Sequence, residues 1–187
     1  MNKQDVIRQL YEIEAVKLGT FTLKSGATSP IYIDLRQIIG YPKLLAALSN
    51  LIWEKISHIQ TDLLCGVPYT ALPMATCLSL QFNIPMLIVR KEAKNYGTKK
   101  LVEGIYKAGQ SCTIIEDIVT SGSSILTTVN ELKAIGLNVS CAAAFIDREQ
   151  GGKAALAEVG CQLFTVFTLN EFLAELKKCG IEVNANI

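Results

Sequence analysis

Short apolar runs alternate with amphipathic stretches along most of this chain. From residue 42 onward the spacing predicts helix 42–56, strand 62–66, helix 71–82, strand 85–90, strand 111–116, helix 123–135, strand 138–146, helix 153–159, strand 161–167 and helix 170–178. The strands are almost continuously apolar, and helices lie between most of them. We therefore expect an α/β fold with a central, mainly parallel sheet that is flanked by helices.

The first 36 residues follow a different pattern. Apolar residues at helical spacing predict a helix over 3–18, with Gly19 just beyond its end. Two short extended segments, 21–26 and 29–34, predict a pair of strands around a turn. We expect a single domain over residues 1–187. Its core covers about 42–178, and a small hood element covers about 19–36 together with part of the N-terminal helix.

Composition narrows the choice of protein class. Half of the 187 residues are apolar, 19% are charged, and the net charge is +1. This near-neutral balance gives no reason to expect nucleic acid or a membrane surface as a partner. No apolar stretch approaches the roughly 18 residues of a membrane span, and the N-terminus lacks the apolar region of a signal peptide. We expect a cytoplasmic protein whose six scattered cysteines are reduced thiols.

Residues 113–124 carry the clearest chemical pattern. An apolar run ends at Glu116 and Asp117, and a hydroxyl-rich turn over 120–124 then leads into a helical pattern. Backbone N–H groups at a helix N-terminus favour a phosphate, whereas two carboxylates suit hydroxyls or a hard cation. The stretch therefore predicts a phosphorylated sugar. The alternative is a ligand-free loop in which Ser123 or Ser124 simply caps the helix.

Polar segments follow four of the predicted strands, at 66–70, 90–94, 116–124 and 147–152. The carboxyl ends of parallel strands share one edge of a sheet, so these segments predict one site. Residues 90–107 hold six cations and two glutamates. A long loop in a compact domain often acts as a lid, although a solvated charged face is the alternative. No nucleophile has an evident base, so we expect catalysis by positioning and electrostatic stabilisation.

These segments resemble those of the type I phosphoribosyltransferases, and more closely those of orotate phosphoribosyltransferases. The stretch 113–124 is similar to the phosphoribosyl-pyrophosphate (PRPP) motif of the wider group. Segments 21–26, 29–34, 90–97 and 147–152, the last reading Asp-Arg-Glu-Gln-Gly-Gly, point to the orotate enzymes. The resemblance covers about residues 6–178. It implies the type I phosphoribosyltransferase fold, with an N-terminal hood and a flexible lid loop.

The resemblance also implies a reaction. Orotate and PRPP would give orotidine 5′-monophosphate and pyrophosphate, a step in the de novo synthesis of UMP. Mg²⁺ would be the cofactor, carried mainly by PRPP rather than by a metal site of the protein. The chain would form a homodimer in which the lid loop reaches the neighbouring site. A purine or uracil phosphoribosyltransferase and a non-catalytic regulator that binds PRPP are the alternatives.

Roles for single residues follow from the same resemblance. Catalysis would depend on Lys94, Asp117, Arg90 and Lys91, with Lys94 nearest to the chemistry. The residues that would bind PRPP are Tyr69, Thr70, Arg90, Lys91, Lys94, Tyr96, Glu116, Asp117, Ile118, Val119, Thr120, Ser121, Gly122, Ser123 and Ser124. The residues that would hold orotate are Lys24, Tyr32, Ile33, Thr120 and Arg148. The planar fork of an arginine suits the carboxylate of that substrate.

Two positions depart from the pattern of many stand-alone bacterial relatives. Thr70 stands where those proteins carry a lysine, and Tyr96 stands where they carry a histidine. Both residues resemble the transferase domain of bifunctional UMP synthases. We therefore expect no titrating imidazole in the lid. Lys99 and Lys100 are the candidates to replace the missing lysine.

Overall fold

The computed structural model describes residues 1–22, 26, 28–90 and 101–183. Six strands form the central sheet, in the order β5-β4-β3-β6-β7-β8. Their bounds are β3 (Leu63–Gly66), β4 (Met86–Val89), β5 (Val102–Glu103), β6 (Ser111–Val119), β7 (Asn138–Asp147) and β8 (Gln162–Thr168). All neighbours are parallel except β4 and β5. The predicted central, mainly parallel sheet is confirmed.

Helices connect the parallel strands and cover the sheet. They are α2 (Pro42–Ile56), α3 (Ala71–Phe82), α4 (Ser123–Ala134), α5 (Gly152–Glu158) and α6 (Leu169–Lys178), and a 3-10 helix at Leu35–Gly40 precedes α2. Residues 142–146 of β7 are fully buried, as expected for a strand with helices on both faces. Within the described ranges, none of the helices has both the length and the apolar character that crossing a membrane requires.

The N-terminal region differs from its prediction. Helix α1 (Lys3–Glu12) begins where predicted but ends six residues early, so the predicted helix over 3–18 is wrong beyond residue 12. Glu14 adopts a left-handed backbone with a φ of 56°, and the chain then enters strand β1 (Val16–Thr22). This strand pairs antiparallel with β2 (Thr28–Ile33), where Val16 lies opposite Ile33. Cross-strand pairing and burial of Val16 outweigh the local helical pattern.

Two further differences lie near the predicted site. Strand β6 does not stop at Glu116 but continues to Val119, because Ile118 and Val119 pair with Ile146 and Asp147 of β7. The short strand β5 was not predicted. It pairs with β4, and Arg90 N–H donates to Leu101 O at 2.8 Å. Arg90 and Leu101 therefore lie side by side at the edge of the sheet.

Candidate active site

The predicted phosphate site lies where β6 passes into α4. Gly122, with a φ of 78°, is the N-cap of α4, and no side chain caps the helix. Ser123 and Ser124 lie inside its first turn, so the alternative in which one of them caps the helix is wrong. The N–H groups of this turn and the positive end of the helix dipole therefore face a small hollow. Such a helix terminus favours an anion.

The two acids lie beside this hollow and differ in their surroundings. Glu116 is 7% exposed, whereas Asp117 is half-buried. Glu116 Oε1 accepts a hydrogen bond from Asp117 N–H at 3.0 Å. Burial, and secondarily the neighbouring Asp117, raise the pKa of Glu116 to about 9. Burial therefore favours the uncharged form of the Glu116 carboxyl, which lines the same hollow as Thr120 and Ser123.

Arg148 lies directly after β7, next to the turn. Its N–H donates to Val119 O at 2.8 Å, and its Nη2 donates to Ser29 Oγ at 3.0 Å. Its Nε is buried and has no hydrogen-bond partner, and burial lowers the pKa of the guanidinium. Among the ion pairs of the described residues, none involves Arg148. A partly buried guanidinium with a spare donor is suited to a planar anion such as a carboxylate.

Ser29 is a residue of the site that the sequence analysis missed. It lies on β2, is 3% exposed, and donates to Ile31 O at 2.7 Å while it accepts from Arg148. Ser29 falls within segment 29–34, which the resemblance highlighted. Nothing in that segment indicates which distant loop it contacts. The neighbouring Ile33 is buried and Tyr32 is partly exposed on the same strand.

A second helix begins at the same edge. Because β3 and β6 are parallel neighbours, the loop after β3 lies beside the phosphate turn. Gly66 allows the start of α3 to pack closely against the end of β3, since an added Cβ on Gly66 would lie 2.7 Å from Ala71 O. Thr70 is the N-cap of α3 and makes no side-chain cap, and Tyr69 is 69% exposed. This uncapped helix terminus lies where the predicted pyrophosphate loop was placed.

Arg90 completes the part of the site that the structure describes. It lines a cavity of about 300 Å³ together with Val67 of the loop after β3 and Ser124 of α4. Its Nη1 lies 3.5 Å from Glu103 Oε1. The structure therefore places the predicted residues that follow β3, β4 and β7 at the same edge of the sheet as those at the end of β6. Four predicted residues lie outside the described ranges: Lys24, Lys91, Lys94 and Tyr96. The candidates Lys99 and Lys100 lie outside them as well.

Comparison with known proteins agrees with this geometry. Residues 36–168 match the phosphoribosyl transferase domain. The chain belongs to the phosphoribosyl transferase family. This phosphoribosyltransferase is 44% identical to the orotate phosphoribosyltransferase of Chlamydia caviae over 182 residues, which are 96% of this chain and 88% of that protein. It is 46% identical to the uridine 5′-monophosphate synthase of Bos taurus over 175 residues, 92% of this chain.

The structural likeness is equally extensive. The orotate phosphoribosyltransferase of Aeropyrum pernix superposes with a TM-score of 0.82 at 32% identity, covering 94% of this chain and 98% of that one. The predicted resemblance to orotate phosphoribosyltransferases and UMP synthases is confirmed. The chain spans 36% of the length of the bovine synthase.

Proposed function

We propose that this phosphoribosyltransferase transfers the phosphoribosyl group of PRPP to orotate, giving orotidine 5′-monophosphate and pyrophosphate in the synthesis of UMP. The observation that carries the proposal is the partly buried Arg148 with its unpartnered Nε beside the uncapped turn of α4. Orotate bears a carboxylate and PRPP bears a 5′-phosphate. On this edge of the sheet, Arg148 would match the carboxylate, and the uncapped turn of α4 would match the 5′-phosphate.

The turn and the two acids would hold the ribose 5-phosphate. Residues 120–124 offer the backbone N–H groups and hydroxyls of an uncapped helix start to the phosphate. Glu116 and Asp117 would bind the 2- and 3-hydroxyls of the ribose. A neutral Glu116 can both donate to and accept from a hydroxyl, and it adds no negative charge beside the phosphate. Ile118 and Val119 would support this wall of the site from β6.

The base would lie between the N-terminal hairpin, formed by β1 and β2, and the loop after β7. Arg148 would bind the orotate carboxylate, while Thr120, Lys24 and the backbone at Tyr32 and Ile33 would contact the rest of the ring. Arg148 N–H already contacts Val119 O at 2.8 Å, which places this loop directly against the phosphate turn. A uracil or purine ring has no carboxylate for the guanidinium. This supports orotate over the bases of sister transferases.

Cations would act on the leaving group. The bond between ribose C1 and the pyrophosphate oxygen breaks as a bond to an orotate ring nitrogen forms, and negative charge accumulates on the pyrophosphate. Arg90, Lys91 and Lys94 would stabilise that charge, with Tyr69, Thr70 and Tyr96 helping to bind the pyrophosphate. Fixed charges aimed at a developing charge are an effective source of catalysis. Asp117 would lie closest to the ribose ring, whose positive charge it would stabilise.

We also propose that Mg²⁺ is required and is bound mainly through PRPP oxygens. In the part of the chain that the structure describes, no group of three or more His, Cys, Asp or Glu residues could hold a metal. When bound with PRPP, the ion would neutralise charge on the pyrophosphate.

The remaining proposals concern assembly and location. We expect a homodimer in which the loop over 91–100 reaches the neighbouring site. Large apolar side chains at Leu80, Ile88 and Ile105 are exposed, which supports burial of apolar surface against a second copy of the chain. The free state of all six thiols is consistent with a reducing cytoplasm. Sedimentation equilibrium would test the dimer, and a single monomeric species at micromolar concentration would contradict it.

A substrate comparison tests the central proposal. Turnover would be followed spectrophotometrically with PRPP and Mg²⁺, using orotate, uracil or hypoxanthine as the base. We expect turnover when orotate is the base, and no turnover with uracil or hypoxanthine. Turnover of another base without orotate would identify a sister transferase instead. Binding of PRPP without turnover of any base would favour a regulator.

A further inference from the structure

Two loops of the site meet in a close backbone contact. The first comprises Val119 at the end of β6 and the turn that follows it, whose residues 120–122 the proposed function assigns to the 5′-phosphate. The second, residues 148–152, carries the arginine assigned to the base. Gly152 N–H donates to Thr120 O at 3.0 Å, and Arg148 N–H donates to Val119 O at 2.8 Å. Both ends of the base-side loop are thus bonded to consecutive carbonyls of the phosphate turn.

The contact leaves no room for a side chain at Gly152. An added Cβ would lie 2.6 Å from Thr120 O, 2.6 Å from Val119 Cγ1 and 3.0 Å from Gly122 N. From the opposite side, a Cβ on Gly122 would lie 3.2 Å from the Cα of Gly152. Two of the three atoms near Gly152 belong to the backbone. A larger residue there would therefore push the two loops apart instead of displacing a flexible side chain.

The separation of these loops matters for a nucleotide. Orotidine 5′-monophosphate carries the base carboxylate and the 5′-phosphate on one covalent framework of limited reach. A site that binds both groups must hold its two anion-binding parts at a matching distance. Displacement of a binding group by about 1 Å is enough to lower catalytic efficiency by about a hundredfold.

We propose that Gly152 is a positioning residue. Its packing against Thr120 and Gly122 sets the distance between the base-binding loop and the phosphate-binding turn. This inference rests on the proposed function, and it concerns how the two parts of the site are spaced rather than which groups touch substrate.

This role can be tested with ligands that occupy only the base-binding loop, only the phosphate-binding turn, or both. Binding of orotate, ribose 5-phosphate and orotidine 5′-monophosphate would be measured by calorimetry for the wild type and for Gly152→Ala. We expect the variant to bind the nucleotide at least about tenfold more weakly, whereas each single-part ligand changes by less than about threefold. Gly40→Ala is the matched control, because Gly40 has no atom within 4 Å of an added Cβ.

Each other outcome has a distinct meaning. Nucleotide affinity that is unchanged in Gly152→Ala would overturn the inference. Equal weakening of all three ligands, together with a lower melting temperature, would also overturn it, because it would show a general structural role. Failure of the wild type to bind orotate or the nucleotide would refute the proposed function instead, whatever the variant does.

If Gly152→Ala fails to fold, hydrogen exchange of the wild-type protein still tests the inference. A fixed spacing requires the Gly152 N–H to remain bonded to Thr120 O. Its amide should then exchange with deuterium at least about a hundredfold more slowly than an unprotected amide. Exchange of Gly152 at the unprotected rate would contradict a rigid contact.

Discussion

Arg148 Nη2 donates a hydrogen bond to Ser29 Oγ at 3.0 Å, although 119 positions separate the two residues in the chain. Ser29 donates its own proton to Ile31 O at 2.7 Å, which fixes the orientation of the hydroxyl. The bond holds one end of the guanidinium and leaves the buried Nε without a partner. The N-terminal hairpin therefore orients the arginine that would bind the base.

Ser29→Ala tests this orientation. The variant loses one hydrogen bond of about 1 kcal/mol, so we expect the KM for orotate to rise about fivefold. The KM for PRPP should remain nearly unchanged, because the side-chain hydrogen bonds of Ser29 join it to Arg148 and Ile31. Steady-state kinetics with each substrate varied in turn would measure both values.

A matched control is available for Ser29. Ser49 is also buried and donates to a backbone carbonyl, Leu45 O at 2.8 Å, but it lies on α2. Ser49→Ala should leave both KM values at the wild-type level. An equal rise in the two KM values for Ser29→Ala would argue against a specific effect on the base.

Arg148→Ala should have a larger effect of the same kind. Loss of a charged hydrogen-bonding partner is worth about 1.5–3 kcal/mol, so we expect orotate to bind about ten- to a hundredfold more weakly. Arg148→Lys should recover only part of this loss, since an ammonium cannot form the planar paired contact. Arg8→Ala, at an exposed position of α1, is the control. Comparable weakening of PRPP would mean that Arg148 does not recognise the base.

Lys94→Ala tests the lid and the proposed dimer together. We expect kcat to fall by about a hundredfold with little change in orotate binding, because the charge would act on the departing pyrophosphate. Mixing this variant with Asp117→Asn under conditions of proven subunit exchange should restore about a quarter of wild-type activity. That recovery requires each site to combine residues of two subunits. No recovery would indicate that every site is contained in one chain.

The pKa of Glu116 predicts a pH dependence of stability. Because the folded protein raises this pKa to about 9, the folded state binds a proton that the unfolded state has released above about pH 4.5. The contribution is fully present below the unfolded pKa and is lost as pH rises through the folded value. The free energy of unfolding should therefore decrease between about pH 5 and pH 9 by more than about 1 kcal/mol.

Glu116→Gln isolates this contribution, because an amide cannot titrate. Its unfolding free energy, measured by urea denaturation, should vary less with pH than that of the wild type. The comparison runs from about pH 5 to about pH 9, which lie near the unfolded and the folded pKa of Glu116. Glu158→Gln, at an exposed position on α5, should keep the wild-type dependence. Parallel curves for wild type and Glu116→Gln would show that Glu116 is ionised in the folded protein.

The cysteines predict a pattern of thiol reactivity. Burial raises the pKa of Cys65 and Cys141 to about 12 and that of Cys161 to about 11, and it raises the pKa of Cys112 as well. Because the thiolate is the reactive form, these four should resist a disulfide reagent at pH 8 until the protein unfolds. Cys77 and Cys179 are only half-buried and should react first. Rapid reaction of six thiols in the native protein would contradict this order.

Apart from the short strand β5, the order of helices and strands after residue 42 was predictable from sequence, because the apolar spacing of each element reflects burial of one face or both. Helix α2 and helix α3 occupy the predicted ranges, Pro42–Ile56 and Ala71–Phe82. The N-terminal helix was overextended because local periodicity does not reveal that Val16 has a partner in Ile33. The end of β6 was missed for a similar reason, since only pairing with β7 carries the strand past two acids.

The sequence alone determined the α/β class, the family resemblance and the residue types of the turn over 120–124, because these depend on local residues and their spacing. The tertiary structure decided that Gly122 is the N-cap of α4, that Ser29 accepts a hydrogen bond from Arg148, and that burial raises the pKa of Glu116. It also brought Gly152 against Thr120. Each of these depends on burial or on contact between segments far apart in the chain, which local patterns do not encode.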